Sequence, residues 1–276
     1  MTQTEQQPKL TVTRDELLAL LQIMGASTMN GLPNEPLAGL AERERAERLN
    51  SGLQTLLNRN LAEARDANQL VLDDTLVALV GSCVIPAATL LLSALQPDGA
   101  NEPHYFNAAP QILVEHELPS AGIHTFRYLS DGSALQSRVQ SFLAGLQPIS
   151  VATEFSITLS DERLTVVLQA ARANQPAQAV NTLMAEKWPE AEARAFVEAA
   201  AGFPIYTAIC ATGLRDETAP TGQTRMAICS LVRCWLIRPT SQGENIFNVQ
   251  AISGKDCIRA FVALCEPLAH VASAAR

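Results

Sequence analysis

The residues best suited to acid–base chemistry are three histidines that lie close together in the chain, His104, His116 and His124. A four-residue hairpin loop at 119–122 would place Glu117 opposite His124 on neighbouring strands. A carboxylate that orients an imidazole is part of a catalytic triad, but the sequence offers no nucleophile beside this pair. The pattern therefore favours a surface cross-strand pair that contributes roughly a few tenths of a kcal/mol to stability.

Cysteines are the second group of residues that could do chemistry, as metal ligands or nucleophiles. On a single predicted strand over Thr224–Arg238, Cys229 and Cys234 point to opposite faces, so they cannot converge on one zinc ion. No two cysteines form a CxxC motif. We predict that all six are reduced, buried and free of metal; they are Cys83, Cys210, Cys229, Cys234, Cys257 and Cys265.

Motifs that bind phosphate are missing from the sequence. Neither GxGxxG nor GxxxxGK followed by Ser or Thr occurs, so no nucleotide-binding loop is predicted. Without a nucleophile, base and orienting residue in a recognisable set, we predict no catalytic residue, no cofactor and no metal. The chain is expected not to be an enzyme.

The charge balance argues against polyanionic partners. The formal net charge is −8, and lysine and arginine are scattered along the chain. The average field repels nucleic acid and anionic membranes, so neither is predicted as a partner. Residues 1–9 contain no apolar signal segment, and the cysteines suggest a reducing compartment, so we expect a cytoplasmic protein.

One charge-free stretch, Leu76–Leu95, is long enough to be tested as a membrane span. Gly81, Ser82 and Pro86 interrupt it. We predict a helix that ends near Cys83, a break, and a buried strand from Ala87 to Leu95, with no membrane span.

The chain contains what looks like the same unit twice. Leu10–Thr13 and the leucines that follow it match Ile157–Ser160 at an offset of 147, and Leu129–Val139 matches Ile252–Val262 at an offset of 123. In each half, strands and helices occur in blocks rather than in strict alternation, which favours antiparallel pairing.

The predicted fold class is therefore α+β, internally duplicated and pseudo-two-fold, with helices packed on a mostly antiparallel sheet. We expect a flexible tail at 1–9, a first repeat at 10–148 and a second at 149–276, both within one globular domain. Helices are predicted at 41–58, which is strongly amphipathic, and at 255–271 at the end of the chain.

Several segments resemble the EspG-like family associated with ESX (type VII) secretion, over roughly residues 10–270. They are LLALL at 17–21, GLP at 31–33, LLNRNL at 56–61, VEHELP at 114–119 and GIHTF at 122–126. The resemblance implies a quasi-two-fold fold and a cytoplasmic chaperone that holds a helical secreted substrate. It implies a protein partner and no reaction.

Two long loops are the predicted places for partner contact, 96–103 and 213–222, because long loops on a rigid sheet often carry recognition. The second combines an apolar residue with charges, and the residues predicted to bind a partner are Leu214, Arg215, Asp216 and Glu217. One alternative is a winged-helix-like transcriptional regulator, although the best candidate helix has nearly no net charge. A third is an enzyme of unknown class.

Overall fold

The computed structural model describes residues 8–32, 40–66, 69–147, 149, 155–213, 221–240 and 245–274. It contains one ten-stranded sheet, and every strand pairing within these ranges is antiparallel. The predicted α+β class is confirmed.

The strands are β1 (Lys9–Thr13), β2 (Ala62–Asp66), β3 (Gln69–Leu72), β4 (Ala88–Leu95), β5 (Asn101–Ala109), β6 (Ile112–Ser120), β7 (Ile123–Tyr128), β8 (Ser156–Ser160), β9 (Ile205–Thr212), β10 (Thr221–Cys229), β11 (Cys234–Pro239) and β12 (Ile246–Ile252). The helices are α1 (Arg14–Ile23), α2 (Glu42–Asn58), α3 (Asp74–Val84), α4 (Gly132–Phe142), α5 (Asp161–Arg172), α6 (Pro176–Ala185), α7 (Glu190–Gly202), α8 (Gly254–Val262) and α9 (Glu266–Ser273).

The order of strands in the sheet is the same when it is counted from either edge towards the centre. It runs β1-β7-β6-β5-β4 from one edge and β8-β12-β11-β10-β9 from the other. Strands β4 and β9 meet in the middle and pair over eight residues, from Ala88↔Thr212 to Leu95↔Ile205. The superposition of the two halves, and hence the duplication, stays a prediction.

Helices cover the two faces of the sheet differently. On one face, α4, α8 and α9 bury the middle strands in a core that includes Leu90, Ala208 and Phe261. On the other face there are two separate cores. Helices α1–α3 cover β6 and β7 around Phe126, while α5–α7 cover β10–β12 around Trp235.

Local capping explains where several helices begin. Thr13 accepts a hydrogen bond from the Glu16 amide, and the Glu16 side chain accepts one from the Thr13 amide, which forms a capping box of the kind that the Thr-x-x-Glu spacing favours. Ser160 and Ser253 cap α5 and α8 at the corresponding places in the second half. Asp131 caps α4 in the same way.

The segment tested as a membrane span folds as predicted, as α3 followed by a break and β4. Among the described helices, none is both long and apolar enough to cross a membrane. Residues 1–7 of the predicted tail lie outside the described ranges, and Lys9 already belongs to β1.

Two sequence predictions of single elements were wrong. The strand predicted over 224–238 is a hairpin, in which β10 and β11 are joined by a turn at Ser230–Arg233. The Ser230 amide donates to the Arg233 carbonyl, and its hydroxyl accepts from the amides of Val232 and Arg233, so the turn needs no glycine or proline. The predicted final helix is divided into α8 and α9 by a 3₁₀ turn before Pro267.

Candidate functional site

One face of the sheet carries two separate cores. In the middle of that face, a strip of side chains belongs to neither of them. Residues that pair across antiparallel strands point to the same side of the sheet. The registers of β4, β5, β9 and β10 therefore show which residues form this central strip. It consists of Thr89, Leu91, Ser93, Leu95, Tyr105, Thr207, Ile209, Ala211 and Thr224, all of which are uncharged.

Exposure distinguishes the central strip from the opposite side of the same strands. Ile209 is 47% exposed, whereas its neighbours Ala208 and Cys210 are 0% and 2% exposed. Leu95, at one end of the strip, is 38% exposed. A large apolar side chain that remains open at the centre of a ten-stranded sheet is a feature of binding surfaces.

Hydrogen bonding and ring stacking keep the central strip rigid. The hydroxyls of Ser93 and Thr207 lie 2.6 Å apart across the β4–β9 junction. Tyr105 stacks on the buried ring of His116, with 5.6 Å between ring centroids. The strip therefore presents apolar side chains and a few hydroxyls on a fixed backbone, which suits the recognition of another protein surface.

Arg172, in the last turn of α5, lies at the Leu95 end of the central strip. Its Nη2 donates to the carbonyl oxygens of Phe203, at 3.0 Å, and Leu95, at 3.4 Å. Its Nε and Nη1 are shielded from solvent and have no hydrogen-bond partner within the described part of the chain.

Comparison with known proteins gives one result at the level of the fold. No family model matches the sequence, and no curated protein matches it either. Among solved structures, the chain is similar to the Mycobacterium tuberculosis type VII secretion system chaperone EspG5, determined in complex with the PE25–PPE41 dimer. The TM-score is 0.65 at 10% sequence identity, and the match covers 95% of this chain and 97% of that chain.

The chain has an EspG-like fold. The resemblance found in the sequence is thus confirmed for the fold, and the low identity leaves the role of individual residues to be argued from this structure.

The predicted partner-binding residues of this EspG-like fold, Leu214, Arg215, Asp216 and Glu217, lie outside the described residues. Their loop is anchored by Thr212 and Thr221, whose hydroxyls lie 2.7 Å apart. Since Thr212 faces Ala88 across the β4–β9 junction, the loop leaves the sheet at one end of the central strip. The other loop, predicted over 96–103, joins β4 to β5 at the opposite end, but the prediction was too long: β4 ends at Leu95 and β5 begins at Asn101.

The predicted pairing of Glu117 with His124 was wrong. A register shift between Glu117 and Ser120 places Glu117 opposite Thr125. His124 instead turns inward, where its Nδ1 lies 3.0 Å from Nε2 of His116. Both rings are buried, and His116 also stacks on Phe126. The residues of the hairpin turn do not indicate the β-bulge, which changes the side of the sheet to which the neighbouring side chains point.

A compact ion network surrounds the carboxylates of Glu115 and Glu117. Arg138 of α4 binds Glu115 through two nitrogens and also reaches Glu117 at 2.6 Å, while Arg127 lies against Glu115. Burial alone would raise the pKa of Glu115, but hydrogen bonds from His104 and Arg138 lower it below its usual value. His104, Glu115 and Glu117 could together face a cation, but guanidinium groups already lie against both carboxylates, so the network fixes α4 on the sheet.

The cysteine prediction was wrong at one pair. Cys229 and Cys234 face each other across the β10–β11 hairpin and are joined by a disulfide. The predicted parity failed because the chain reverses between them. Cys83, Cys210, Cys257 and Cys265 are free and buried.

The central strip itself was missed by reasoning from sequence. Strand β4 is apolar on both faces, so it was predicted as a buried strand, which is true of only one face. In β9, Tyr206, Ala208 and Cys210 alternate with Thr207 and Ile209. This pattern does not indicate which side of the strand is covered by helices.

Proposed function

We propose that this chain is a non-catalytic protein-binding protein that acts as an EspG-like secretion chaperone in the cytoplasm and holds a secreted partner on the central strip. The observation that carries the proposal is the uncharged, partly exposed strip at the β4–β9 junction, in which Ile209 and Leu95 are the most open side chains. The structural similarity is to a chaperone bound to a protein dimer, which supports a protein partner rather than a small-molecule substrate.

The dimensions of the central strip suit a helical partner. From Thr89 to Leu95 the strip is about 20 Å long, and from β5 to β10 it is about 14 Å wide, by ordinary strand spacings. An α-helix with its side chains is about 10–12 Å across. One helix, or the tip of a helical pair, therefore covers the strip and buries Leu91 and Ile209.

Groups at both ends of the strip add polar contacts to this proposal. Arg172 places a positive charge at the Leu95 end. The loop that carries Leu214, Arg215, Asp216 and Glu217 leaves from the other end, and we propose that it contacts the same partner. The strip would supply most of the buried apolar area, and the two ends would set the orientation.

The alternative of a DNA-binding helix is not favoured by the geometry of α2. Arg43 and Arg48 form ion pairs with Glu47 and Glu44, one turn away on the same helix. These pairs neutralise a face that a recognition helix would need to keep basic.

The test uses the tagged full-length chain expressed in its native host, with bound proteins identified by mass spectrometry. The wild type is expected to recover a secreted helical protein or protein pair. Ile209→Glu should lower the affinity for that partner at least tenfold, because it places a charge against an apolar contact. Replacing residues 214–217 with glycine and serine should weaken binding without changing the melting temperature.

Met184→Glu provides a matched control, since Met184 on α6 is 42% exposed and lies away from the strip. It should bind like the wild type. Equal recovery of every protein by wild type and Ile209→Glu would refute the assignment of the strip.

A further inference from the structure

Five of the six cysteines lie in the single core under α4, α8 and α9, and three of these form a tight cluster. The sulfur atoms of Cys229, Cys234 and Cys257 all lie within 4.8 Å of one another. All three side chains are buried. The cluster does not overlap the central strip, since it lies on the opposite face of the sheet.

Three elements, β10, β11 and α8, bring these residues together. Cys229 ends β10 and Cys234 begins β11, so hairpin register makes them direct neighbours. Ser253 caps α8, and Cys257 is one turn inside that helix, which packs on β10 and β11. The third sulfur is thereby held close to the other two.

Charge decides between a metal site and thiol–disulfide chemistry. Three thiolates around a zinc ion would leave one net negative charge in a core made of residues such as Ala227, Leu236 and Phe261. A disulfide beside a protonated thiol is neutral and needs no compensating cation. Burial raises the pKa of Cys257 to about 12, which agrees with a protonated thiol at neutral pH.

We infer that Cys229, Cys234 and Cys257 form a buried redox site, in which the disulfide across the hairpin exchanges with the thiol of Cys257. In the exchange, Cys257 loses its proton and its thiolate attacks one sulfur of the disulfide. Because burial raises the pKa of this thiol, the thiolate is a minor form at neutral pH and the exchange is slow. A new bond to Cys257 forms, the Cys229–Cys234 bond breaks, and the released thiolate takes up the proton. No net oxidation occurs in this step.

Formation of the first disulfide requires a two-electron oxidant, for which a low-molecular-weight disulfide such as oxidised glutathione is the appropriate class. It accepts two electrons and two protons from the paired cysteines and leaves as two thiols. Disulfides of cytosolic proteins are usually transient or redox-sensing, so the site would report the redox state of its compartment.

The exchange changes what the hairpin is tied to. Beyond Cys229 and Cys234 lies the hairpin tip, where Leu231 and Val232 are 79% and 68% exposed. The cross-strand bond closes the tip onto itself. Transfer to Cys257 leaves the two strand ends unlinked at the tip and connects the sheet covalently to α8.

The experiment maps disulfides in the purified full-length chain by alkylation under denaturing conditions, digestion and mass spectrometry. After treatment with oxidised glutathione, the wild type should show a Cys229–Cys234 link and four alkylated cysteines, the ones found free in the structure. Cys229→Ser should form a Cys234–Cys257 link instead, and Cys234→Ser a Cys229–Cys257 link. Cys210→Ser, a control in the same core, should keep the wild-type link.

Three results would overturn the inference. They are six alkylatable thiols in the glutathione-treated wild type, a glutathione adduct in place of the Cys257 link in both single variants, and zinc bound at stoichiometric amounts. If the variants do not fold, limiting reductant applied to the wild type serves as the second measurement. Links to Cys257 must then appear before the protein is fully reduced. Loss of the Cys229–Cys234 link without any link to Cys257 would contradict the exchange.

Discussion

At the residue scale, the geometry of His116 and His124 determines which nitrogen carries each proton. His116 Nδ1 lies 3.1 Å from the Asn30 carbonyl oxygen, which can only accept, so Nδ1 must be the donor. In the neutral ring, Nε2 of His116 then accepts from Nδ1 of His124. A proton added to Nε2 of His116 would face this N–H, so the hydrogen bond between the two rings requires Nε2 of His116 to stay unprotonated.

This pair should make stability depend on pH. Burial is the main reason that the pKa of His116 is lowered to about 3 and that of His124 to about 4. The unfolded chain binds protons near pH 6.5 and the folded chain does not, so stability is full above pH 6.5 and falls as the pH is lowered. Between pH 6.5 and 5, the free energy of unfolding should drop by up to about 1.4 kcal/mol per pH unit for each histidine.

Urea titrations at a series of pH values measure this slope. His116→Phe, which keeps a ring between Tyr105 and Phe126, should reduce the slope because one titrating group is gone. His270→Gln changes an exposed residue of α9 and should leave it unaltered. A stability that is flat from pH 7 to pH 5 would contradict the assignment of two neutral rings.

At the element scale, the contact between α1 and α2 depends on one glycine. A Cβ atom at Gly52 would collide with the backbone carbonyl of Asp15, in the first turn of α1. The absence of a side chain lets the helices approach closely, and Leu56 is fully buried one turn later. The apolar residues near this contact and the ion pair between Arg59, just after the helix, and Glu16 hold α2 against α1, since the first turns of α2 are exposed.

Alanine substitution should therefore have opposite effects at two helical glycines. Gly52→Ala is expected to lower the free energy of unfolding by about 1–3 kcal/mol, because the clash forces the backbones apart. Gly202→Ala, at the exposed end of α7 with no atom within 4 Å of the added Cβ, should be neutral or gain up to about 1 kcal/mol from helix propensity. Thermal or chemical unfolding of the two variants gives the comparison, and a stabilised Gly52→Ala variant would disprove the close contact.

At the scale of the whole molecule, we expect the β4–β9 junction to make one cooperative unit of the two halves. Eight residues of each strand pair continuously, and the core under α4, α8 and α9 draws side chains from both halves. The halves therefore share backbone hydrogen bonds and buried area, which favours unfolding in one step.

Tryptophan fluorescence provides a test, because both tryptophans, Trp188 and Trp235, lie in the second half. Leu56→Ala removes a fully buried side chain from the first half and should cost about 2–5 kcal/mol. In a cooperative protein, the fluorescence midpoint shifts together with the circular dichroism midpoint. A fluorescence transition that keeps its wild-type midpoint would show that the halves unfold separately.

Features that depend on neighbours in the chain could be predicted from the sequence. The capping box of Thr13 and Glu16 and the break between α3 and β4 both arise from contacts over a few residues. The strand blocks were enough to predict an antiparallel α+β fold, since short connections favour adjacent antiparallel strands.

Features that depend on register between distant segments were decided only by the tertiary structure. The inward turn of His124 follows from a bulge in β6, and the Cys229–Cys234 bond follows from a serine-stabilised turn with no strong sequence signal. The open side of β9 at Ile209 exists because two groups of helices stop short of the middle of the sheet. Side-chain alternation shows that a strand has two faces, but which face stays open is a property of how the whole chain packs.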